Sequence, residues 1–384
     1  MNEAGRRRPE LRVGFDARWY NDSGVGVYVA ELLRAMAAIE RRGFELVVYE
    51  NPQNPVPQLG GREVTRVAVS ALRYSLAEQL EFRRRSRLDR LDVFHSPFFA
   101  IPLGLRCPVV VTVHDLIPFL FRIYNRPKQA LVKMAYRMAA RHARHIIADS
   151  ENTAADLQRV LAVSPERITT VHIAASPEYS SRETEIDAAK RLAAKYNIGC
   201  PYVVVSSARN WRTKNLEGAL QVLQAATQKS GIKFQTVVFG SPEGIEAAGP
   251  AQRWTGLSLR QTGYLQRSDL AMLFRNAEAF VMPSLYEGFG LPILEAMSCG
   301  CPVITSNAGS LLEVAGQGAQ VFDPHDITSM AVAVAGLLQN PEERRRWKAA
   351  ALARAADFSW TRAAAETISV YHRVHGQAVS NRSV

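Results

Sequence analysis

The chain has 384 residues, of which 47% are hydrophobic, and its 47 Lys and Arg against 36 Asp and Glu give a formal net charge of +11. These proportions are typical of globular proteins and exclude disordered, collagen-like and coiled-coil chains. The length predicts two domains, each with enough chain for a core of its own.

In the first half, short apolar runs alternate with amphipathic segments, which predicts an α/β fold with parallel strands. The strands are predicted at residues 11–15, 45–49, 64–69, 93–94, 109–113, 146–148 and 168–171, and the helices at 26–41, 127–143 and 151–161. Residues 176–190 are polar and rich in turn formers, so we expect a linker there.

The alternation restarts after this linker. Strands are predicted at residues 202–206, 234–239, 259–262, 279–282 and 302–305, and helices at 216–228, 268–276, 292–297, 327–338, 341–356 and 361–375. The whole pattern predicts two doubly wound domains of similar size, with ligands at the carboxyl ends of the strands.

Residues 283–297 hold the most informative pattern, a buried strand that leads through a glycine-bearing loop into a helix. Gly288 and Gly290 permit a ligand to approach the backbone closely. The helix start would present amide groups as an anion site, and these amides belong to Phe289, Gly290 and Leu291. Two carboxylates, Glu287 and Glu295, flank this point. Backbone amides can bind phosphate, and the neighbouring carboxylates can bind hydroxyl groups. The two together suit a sugar nucleotide.

Two further polar groups follow predicted strands. Arg209 and Lys214 lie in the loop after residues 202–206, where two cations can neutralise a diphosphate leaving group. His114 and Asp115 follow residues 109–113, at the end of a strand where an α/β site belongs. Asp115 either orients His114 or caps the next segment.

Residues 283–297 resemble the retaining glycosyltransferases of family 4, whose signature is two glutamates separated by seven residues in a strand–loop–helix setting. Glu287 and Glu295 have this spacing, and the similarity continues through residues 299–305 and 309–314. Arg209 and Lys214 also match the family's spacing. The resemblance covers nearly the whole chain and is weaker in the first half.

This resemblance implies the GT-B fold, in which two Rossmann-like domains face each other with the active site between them. Residues 1–180 would form the acceptor-side domain and residues 181–358 the domain that binds the nucleotide sugar. Residues 359–384 would form a helix that returns to the first domain.

The resemblance also implies roles for individual residues. Glu287 would contact the donor sugar, Glu295 the ribose hydroxyls, and the amides of residues 289–291 the sugar or phosphate. Arg209 and Lys214 would hold the diphosphate. The remaining expected contacts are those of His114 with the donor sugar, of the backbone at Tyr264 with the base, and of Gly24 and Gly26 with donor phosphate or acceptor. Val29 stands where a third glycine would complete a dinucleotide-binding motif, so we do not expect that motif here.

The function implied is transfer of a sugar with retention of configuration to a glycan or lipid-linked acceptor in polysaccharide synthesis. GDP-mannose is the leading donor because the local motifs look most like the bacterial mannosyltransferase branch, and UDP-sugars stay open. We expect neither a cofactor nor a metal, since no Asp-x-Asp motif and no zinc-ligand spacing is present. The alternatives are a sugar-nucleotide epimerase of the same fold and a non-catalytic protein that binds sugar nucleotides.

The positive charge is tilted to the first half, where residues 1–180 hold 26 basic and 19 acidic residues. The arginine-rich helix predicted at residues 76–91 looks like the centre of this excess, with arginines at 83–85, 87 and 90. Such a helix either lies on an anionic membrane or is simply solvated. We expect no nucleic acid, because no nucleic-acid-binding motif is present. No apolar run reaches the roughly 18–20 residues of a membrane span, and no export signal begins the chain, which predicts a cytoplasmic protein.

Overall fold

The computed structural model describes residues 11–20, 23–39, 43–60, 64–181, 186–208, 211–249 and 251–380. The chain divides into two compact units. Unit 1 comprises Met1–Ile173 and Ser359–Val384, and unit 2 comprises Ala174–Phe358. The predicted site residue Arg209 lies outside the described residues.

Unit 1 is built on a parallel sheet of seven strands in the order β3-β2-β1-β4-β5-β6-β7. The strands are β1 (Arg12–Asp16), β2 (Glu45–Glu50), β3 (Thr65–Ala68), β4 (Val93–Ser96), β5 (Val109–Val113), β6 (His145–Ala148) and β7 (Ile168–Thr170). Its helices are α1 (Ser23–Ala38), α2 (Leu76–Leu88), α3 (Ile117–Leu120), α4 (Arg126–His142), α5 (Glu151–Leu161) and, from the end of the chain, α15 (Trp360–Ser380).

Side-chain alternation along β5 shows how helices cover both faces of this sheet. Val109, Val111 and Val113 belong to the apolar cluster that also contains residues of α2, α4 and α5. Thr112 points to the opposite face, where its hydroxyl meets the hydroxyl of Tyr28 in α1 at 2.8 Å. The central strands are therefore buried on both sides, as their continuous apolar runs predicted.

A buried polar chain joins α15 to the sheet of unit 1. The ring of His95 in β4 bonds to the Thr112 hydroxyl at 2.8 Å through Nε2 and to the Tyr371 hydroxyl at 2.6 Å through Nδ1. Burial, helped by the nearby charge of His114, lowers the pKa of His95 to about 3, so the ring is neutral. Because each member has a partner, this network fixes α15 at one position on the sheet.

Unit 2 has a parallel sheet of six strands in the order β10-β9-β8-β11-β12-β13. The strands are β8 (Tyr202–Ser207), β9 (Gln235–Gly240), β10 (Ser258–Gly263), β11 (Ala279–Met282), β12 (Val303–Ser306) and β13 (Gln320–Phe322). The helices are α6 (Ile186–Tyr196), α7 (Trp211–Lys214), α8 (Leu216–Ser230), α9 (Pro242–Ala247), α10 (Arg267–Asn276), α11 (Leu291–Ser298), α12 (Leu311–Ala315), α13 (Ile327–Gln339) and α14 (Pro341–Ala355).

The predicted α/β class with parallel strands is confirmed, with local differences. Helix α6 begins inside the stretch predicted to be a linker, because that prediction rested on the polar, turn-forming residues that precede the helix. The short strand β13 and the short helices α3, α7, α9 and α12 were not predicted. Helix α1 begins at Ser23, so Gly24 and Gly26 lie in its first turn and not in a loop. Within the described ranges, no helix is both long and apolar enough to span a bilayer.

Candidate active site

Three loops of unit 2 meet beyond the carboxyl ends of β8, β11 and β12, which are neighbours in the sheet. The connection after β8 carries Lys214 at the end of the short helix α7, and the loop after β11 carries Glu287. The loop after β12 carries Gly309 and Ser310. Because parallel strands end at one edge of the sheet, residues as far apart in sequence as Lys214 and Glu287 come into contact there.

Lys214 and Glu287 form an ion pair at the centre of this site. The Lys214 Nζ lies 2.7 Å from Glu287 Oε1, and the Ser284 hydroxyl donates a hydrogen bond to the same oxygen at 2.7 Å. The Glu287 side chain is 11% exposed. Among the described residues, no group donates to its second oxygen, Oε2. That oxygen is therefore open to a hydroxyl group of a ligand.

Asn215 fixes the position of Lys214. Its backbone is in the left-handed region at φ 50°, and its Oδ1 accepts a hydrogen bond from the Gly218 amide at 3.2 Å, which caps α8. Its Nδ2 donates to the carbonyl oxygens of Pro283 and Pro324 at 3.0 and 3.3 Å. The Leu285 amide adds a bond to the Thr213 carbonyl at 2.7 Å. One side chain therefore joins the Lys214 loop to the Glu287 loop.

Gly309 and Ser310 hold the backbone of Glu287 from the other side. The Ser310 amide and hydroxyl both donate to the Glu287 carbonyl, at 3.3 and 3.2 Å. Gly309 has φ +61°, and a Cβ atom at this position would lie 2.6 Å from that same carbonyl oxygen. Only glycine fits this contact, so the glycine is needed for the position of Glu287.

Helix α11 starts directly after Glu287. Gly290 caps it in a left-handed conformation at φ 96° with no capping side chain, and Leu291 is its first residue. The amides of Gly290 and Leu291 are at a helix start, where N–H groups have no acceptor within the helix. Phe289 is buried and packs edge-on against Phe358 at 5.8 Å between ring centroids. Gly288 is buried beside it.

Glu295 lies one turn into α11 in a different environment from Glu287. Burial raises its pKa to about 8, although Arg267, Lys214 and a hydrogen bond from Tyr179 favour the charged form. Tyr179 comes from the segment that precedes α6, and Arg275 holds that segment by donating to the carbonyls of Ser180 and Glu178 at 2.6 and 3.0 Å. At neutral pH the Glu295 carboxyl is therefore mostly protonated.

His114 occupies the equivalent place in unit 1, beyond the ends of β4, β5 and β6. Its Nδ1 lies 2.9 Å from Asp149 Oδ2, and its Nε2 lies 2.9 Å from the Pro97 carbonyl. Burial by itself would lower the pKa of His114, but these two bonds and the charges of Asp149 and Asp115 raise it. Both acceptors require an N–H donor, so the ring is a cation. Asp115 caps the next segment by accepting from the Ile117 amide at 2.8 Å.

The other predicted residues have simpler surroundings. Tyr264 follows β10 and is 74% exposed, next to Gly263 at φ +70°. Gly24 is exposed and Gly26 is buried in the first turn of α1. No group of three or more His, Cys, Asp and Glu within the described ranges could hold a metal ion. The expectation of a metal-independent reaction stays a prediction.

Several residues that shape the site were not predicted from the sequence: Ser284, Ser310, Tyr179, Arg267 and Asp149. Ser284 and Ser310 each stand beside an apolar run that the sequence predicts to be buried. Their hydroxyl groups were therefore weakly indicated as buried groups that need hydrogen-bond partners. No local pattern indicates Tyr179 or Arg267, because their approach to Glu295 depends on tertiary packing across unit 2.

The close approach of Gly309 to the Glu287 carbonyl predicts that a methyl group at position 309 destabilises unit 2. Gly309→Ala should lower the free energy of unfolding of unit 2 by about 3 kcal/mol, because it combines left-handed strain with a clash against backbone. The matched control is Gly231→Ala, since Gly231 has φ +65° but nothing within 4 Å of its Cβ position. Thermal unfolding should show a clearly smaller loss for the control, and equal losses would contradict the clash.

The raised pKa of Glu295 predicts how stability depends on pH. The folded protein holds a proton that the unfolded chain releases near pH 4.5, so stability is lost as pH rises from there towards 8. Relative to Glu295→Gln, the free energy of unfolding of the wild type should fall by about 2 kcal/mol between pH 5.5 and 7.5. Chemical unfolding of both proteins across this range measures the difference. Parallel curves would show that Glu295 is already ionised at neutral pH.

Known proteins share both the sequence and the fold. Residues 23–178 match the model of Glycosyltransferase Family 4, and residues 189–354 match that of Glycosyl transferases group 1. O-antigen chain mannosyltransferase B of Escherichia coli is 28% identical over 92% of this chain and 96% of its own. The serotype-specific mannosyltransferase WbdA of Escherichia coli is 30% identical over 69% of this chain, which corresponds to 33% of WbdA.

Among solved structures, the Anabaena protein HepE in complex with UDP-glucose superimposes with a TM-score of 0.69 at 16% identity, over 96% of this chain and all of HepE. At this identity the similarity shows the fold, which is GT-B. The two family matches together extend over most of the chain: the first contains six of the seven strands of the unit 1 sheet, and the second contains all six strands of the unit 2 sheet. The chain therefore belongs to the family 4 glycosyltransferases and resembles their bacterial mannosyltransferase branch.

Proposed function

We propose that this protein transfers mannose from GDP-mannose to a glycan or lipid-linked acceptor, with retention of the anomeric configuration. The observation that carries this proposal is the pair of Lys214 Nζ and Glu287 Oε1 at 2.7 Å, immediately before the start of α11. A cation paired with a carboxylate directly before a helix start suits a sugar bonded to a diphosphate.

The diphosphate would bind at the cationic side of this site. Lys214 would share its charge between Glu287 and the phosphate, and the amides of Gly290 and Leu291 would donate to phosphate or sugar oxygens. Arg209 is the second cation expected from the family pattern. Donors fixed before the reaction stabilise the charge that develops on the leaving group, which is usually the largest contribution to catalysis.

The sugar would bind at the carboxylate side. Glu287 Oε2 would accept a hydrogen bond from a sugar hydroxyl, while Oε1 stays bound to Lys214 and Ser284. Because two donors already stabilise its charge, Glu287 is a weak nucleophile and suits an orienting role. The bond from the anomeric carbon to the phosphate oxygen breaks, the acceptor oxygen bonds on the same face, and a phosphate oxygen takes the acceptor's proton.

The remaining family contacts complete the proposal. Glu295, which burial keeps protonated at neutral pH, would bond the ribose hydroxyls. The backbone at Tyr264 would contact the base, and Gly24 and Gly26 the donor phosphate or acceptor. His114 would contact the donor sugar, and since both of its N–H groups are in use, that contact requires release of its bond to Pro97.

Mannose is favoured as the sugar because relatives at 28% and 30% identity are named as mannosyltransferases. The base is less constrained, since HepE of the same fold binds UDP-glucose. An acceptor built on a lipid would bring the protein to an anionic membrane surface, and we include such peripheral membrane binding in the proposal.

A panel of sugar nucleotides tests the reaction class. GDP-mannose should release GDP slowly in the absence of acceptor, and faster than UDP-glucose or UDP-galactose releases UDP. An isomerised donor would instead indicate an epimerase, and binding without turnover would indicate a non-catalytic protein. Release of UDP from a UDP-sugar, without release of GDP from GDP-mannose, would support sugar transfer but contradict GDP-mannose as the donor.

A substitution at Glu287 tests the site. Glu287→Ala should lower turnover by about 100-fold or more, since it removes the group that orients the sugar and leaves Lys214 without its partner. The matched control is Glu278→Ala, which also breaks an ion pair of unit 2, with Arg344 at 2.8 Å. The control should stay within about threefold of the wild type, because Glu278 lies at the amino end of β11 and the site lies at the carboxyl end. Full activity of Glu287→Ala would contradict the assignment.

A further inference from the structure

A pocket of about 290 Å³ lies in unit 1 at the carboxyl ends of β1, β2 and β3. Its lining comes from Arg18 after β1, residues 51–54 after β2 and residues 69–73 after β3. The volume is close to the lower limit for sites that hold small ligands, about 300 Å³. Strand β2 stands three places from β5, the strand before His114, so the pocket lies roughly 14 Å from His114 along one edge of the sheet. This is the edge at which ligands bind in α/β sheets.

The buried Arg18 side chain ties two walls of this pocket together. Its Nε and Nη2 donate to the two carboxylate oxygens of Asp16 at 2.8 and 2.7 Å. Nη2 also donates to Glu78 Oε1 at 2.5 Å, and Nη1 donates to the Ala71 carbonyl at 3.1 Å. Because a guanidinium group donates in fixed directions, these bonds hold the segment after β3 at one position against β1 and α2.

The segment after β3 leads into a strained residue with an exposed ring. Tyr74 is in the left-handed region at φ 66°, its amide donates to Glu78 Oε2 at 2.6 Å, and its side chain is 61% exposed. The preceding Arg73 guanidinium lies over the Trp19 ring at 4.1 Å, and the Tyr74 ring meets Trp19 edge-on at 6.0 Å. Such backbone strain persists only where the surroundings fix it, and it is common at ligand-binding sites. The pocket is therefore formed before a ligand arrives.

The charges at this pocket balance each other. Arg18 and Arg73 are the cations of its lining, and Asp16 and Glu78 bond to Arg18. An anionic ligand such as a phosphate would need an excess of cations, which these two pairs of opposite charges do not provide. Amides and a hydroxyl group complete the polar lining, and they belong to Asn51, Gln53, Asn54 and Ser70. These groups both donate and accept hydrogen bonds, which suits an uncharged ligand rich in hydroxyl groups.

A row of rings joins the pocket to His114. The Phe98 ring stacks on His114 at 6.4 Å between centroids, and the Trp19 ring lies 4.5 Å from Phe98. Tyr74 continues the row beyond Trp19. Phe98 is partly exposed and Tyr74 is largely exposed, so the row presents apolar surface to solvent. The C–H faces of sugar rings pack on such surface, and a row of this length suits a chain of sugars better than a single one.

We propose that the pocket is a distal acceptor subsite, which binds an uncharged sugar unit of a glycan away from the unit whose hydroxyl group reacts. The inference rests on the proposed function, which places the donor sugar, and with it the reacting end of the acceptor, near His114. One hexose cannot extend from His114 to the pocket, so only an oligosaccharide would contact both. The acceptor is thereby narrowed to a chain of several uncharged sugars.

The length of the acceptor tests this subsite. With the donor that the sugar-nucleotide panel identifies, kcat/KM should be at least about tenfold higher for mannopentaose than for mannose, because the longer chain makes additional hydrogen bonds. Gln53→Ala combined with Ser70→Ala should remove most of this preference. The matched control is Gln158→Ala with Ser369→Ala, two exposed residues of unit 1 outside the pocket, and it should keep the preference. Thermal unfolding checks that both variants are folded, and Gln53 and Ser70 are themselves exposed.

Calorimetric titration of mannopentaose without a donor separates this inference from the proposed function. The wild type should bind mannopentaose at least about tenfold more tightly than mannose, and the variant at Gln53 and Ser70 should lose this difference. Such binding would support the subsite even if no donor showed turnover. Absence of mannopentaose binding, turnover with equal kcat/KM for both acceptors, or an equal loss of preference in the control would each overturn the subsite and leave the proposed function standing.

Discussion

The ion pair between Lys214 and Glu287 is the interaction on which the rest of the site depends. A buried carboxylate is costly unless it is paired and hydrogen-bonded, and Lys214 and Ser284 meet both needs. The pair exists only because Asn215 and Gly309 fix two loops from different strands against each other. Lys214 is thus held in place without a ligand, and the proposed diphosphate would meet it already positioned. The same contact serves the fold and the proposed chemistry.

The two units differ in the charge that they leave unpaired. In unit 2 the central charges are paired and buried at the strand ends, and the unit is close to neutral, with 18 basic and 17 acidic residues. In unit 1 the buried charges are paired as well, as in the contacts of Arg18 with Asp16 and Glu78, but among the described residues unpaired cations gather on the outer side of α4. Paired charges define a binding geometry, whereas unpaired charges on an exposed helix attract an extended anionic surface. This division explains why the net charge of the whole chain says little about its function.

Much of the fold could be predicted because its signals are local. The alternation of apolar runs and amphipathic segments located most strands and helices, and the glycines with two glutamates at residues 287–295 located the loop before α11. What could not be predicted depends on residues distant in sequence. Asn215 joins three segments, Gly309 is needed only because the Glu287 carbonyl approaches it, and Tyr179 reaches Glu295 across unit 2.

We propose above all that the site formed by Lys214 and Glu287 binds the diphosphate of a nucleotide sugar. Calorimetric titration of GDP, and of UDP if GDP does not bind, into the wild type and Lys214→Met tests it most directly. Loss of a charged hydrogen bond to phosphate should raise the dissociation constant by about tenfold to 100-fold. Lys195→Met, which removes a lysine of the same unit paired with Asp269 at 2.7 Å, should bind as the wild type does. Equal affinity of Lys214→Met and the wild type for the nucleoside diphosphate would contradict this role of Lys214.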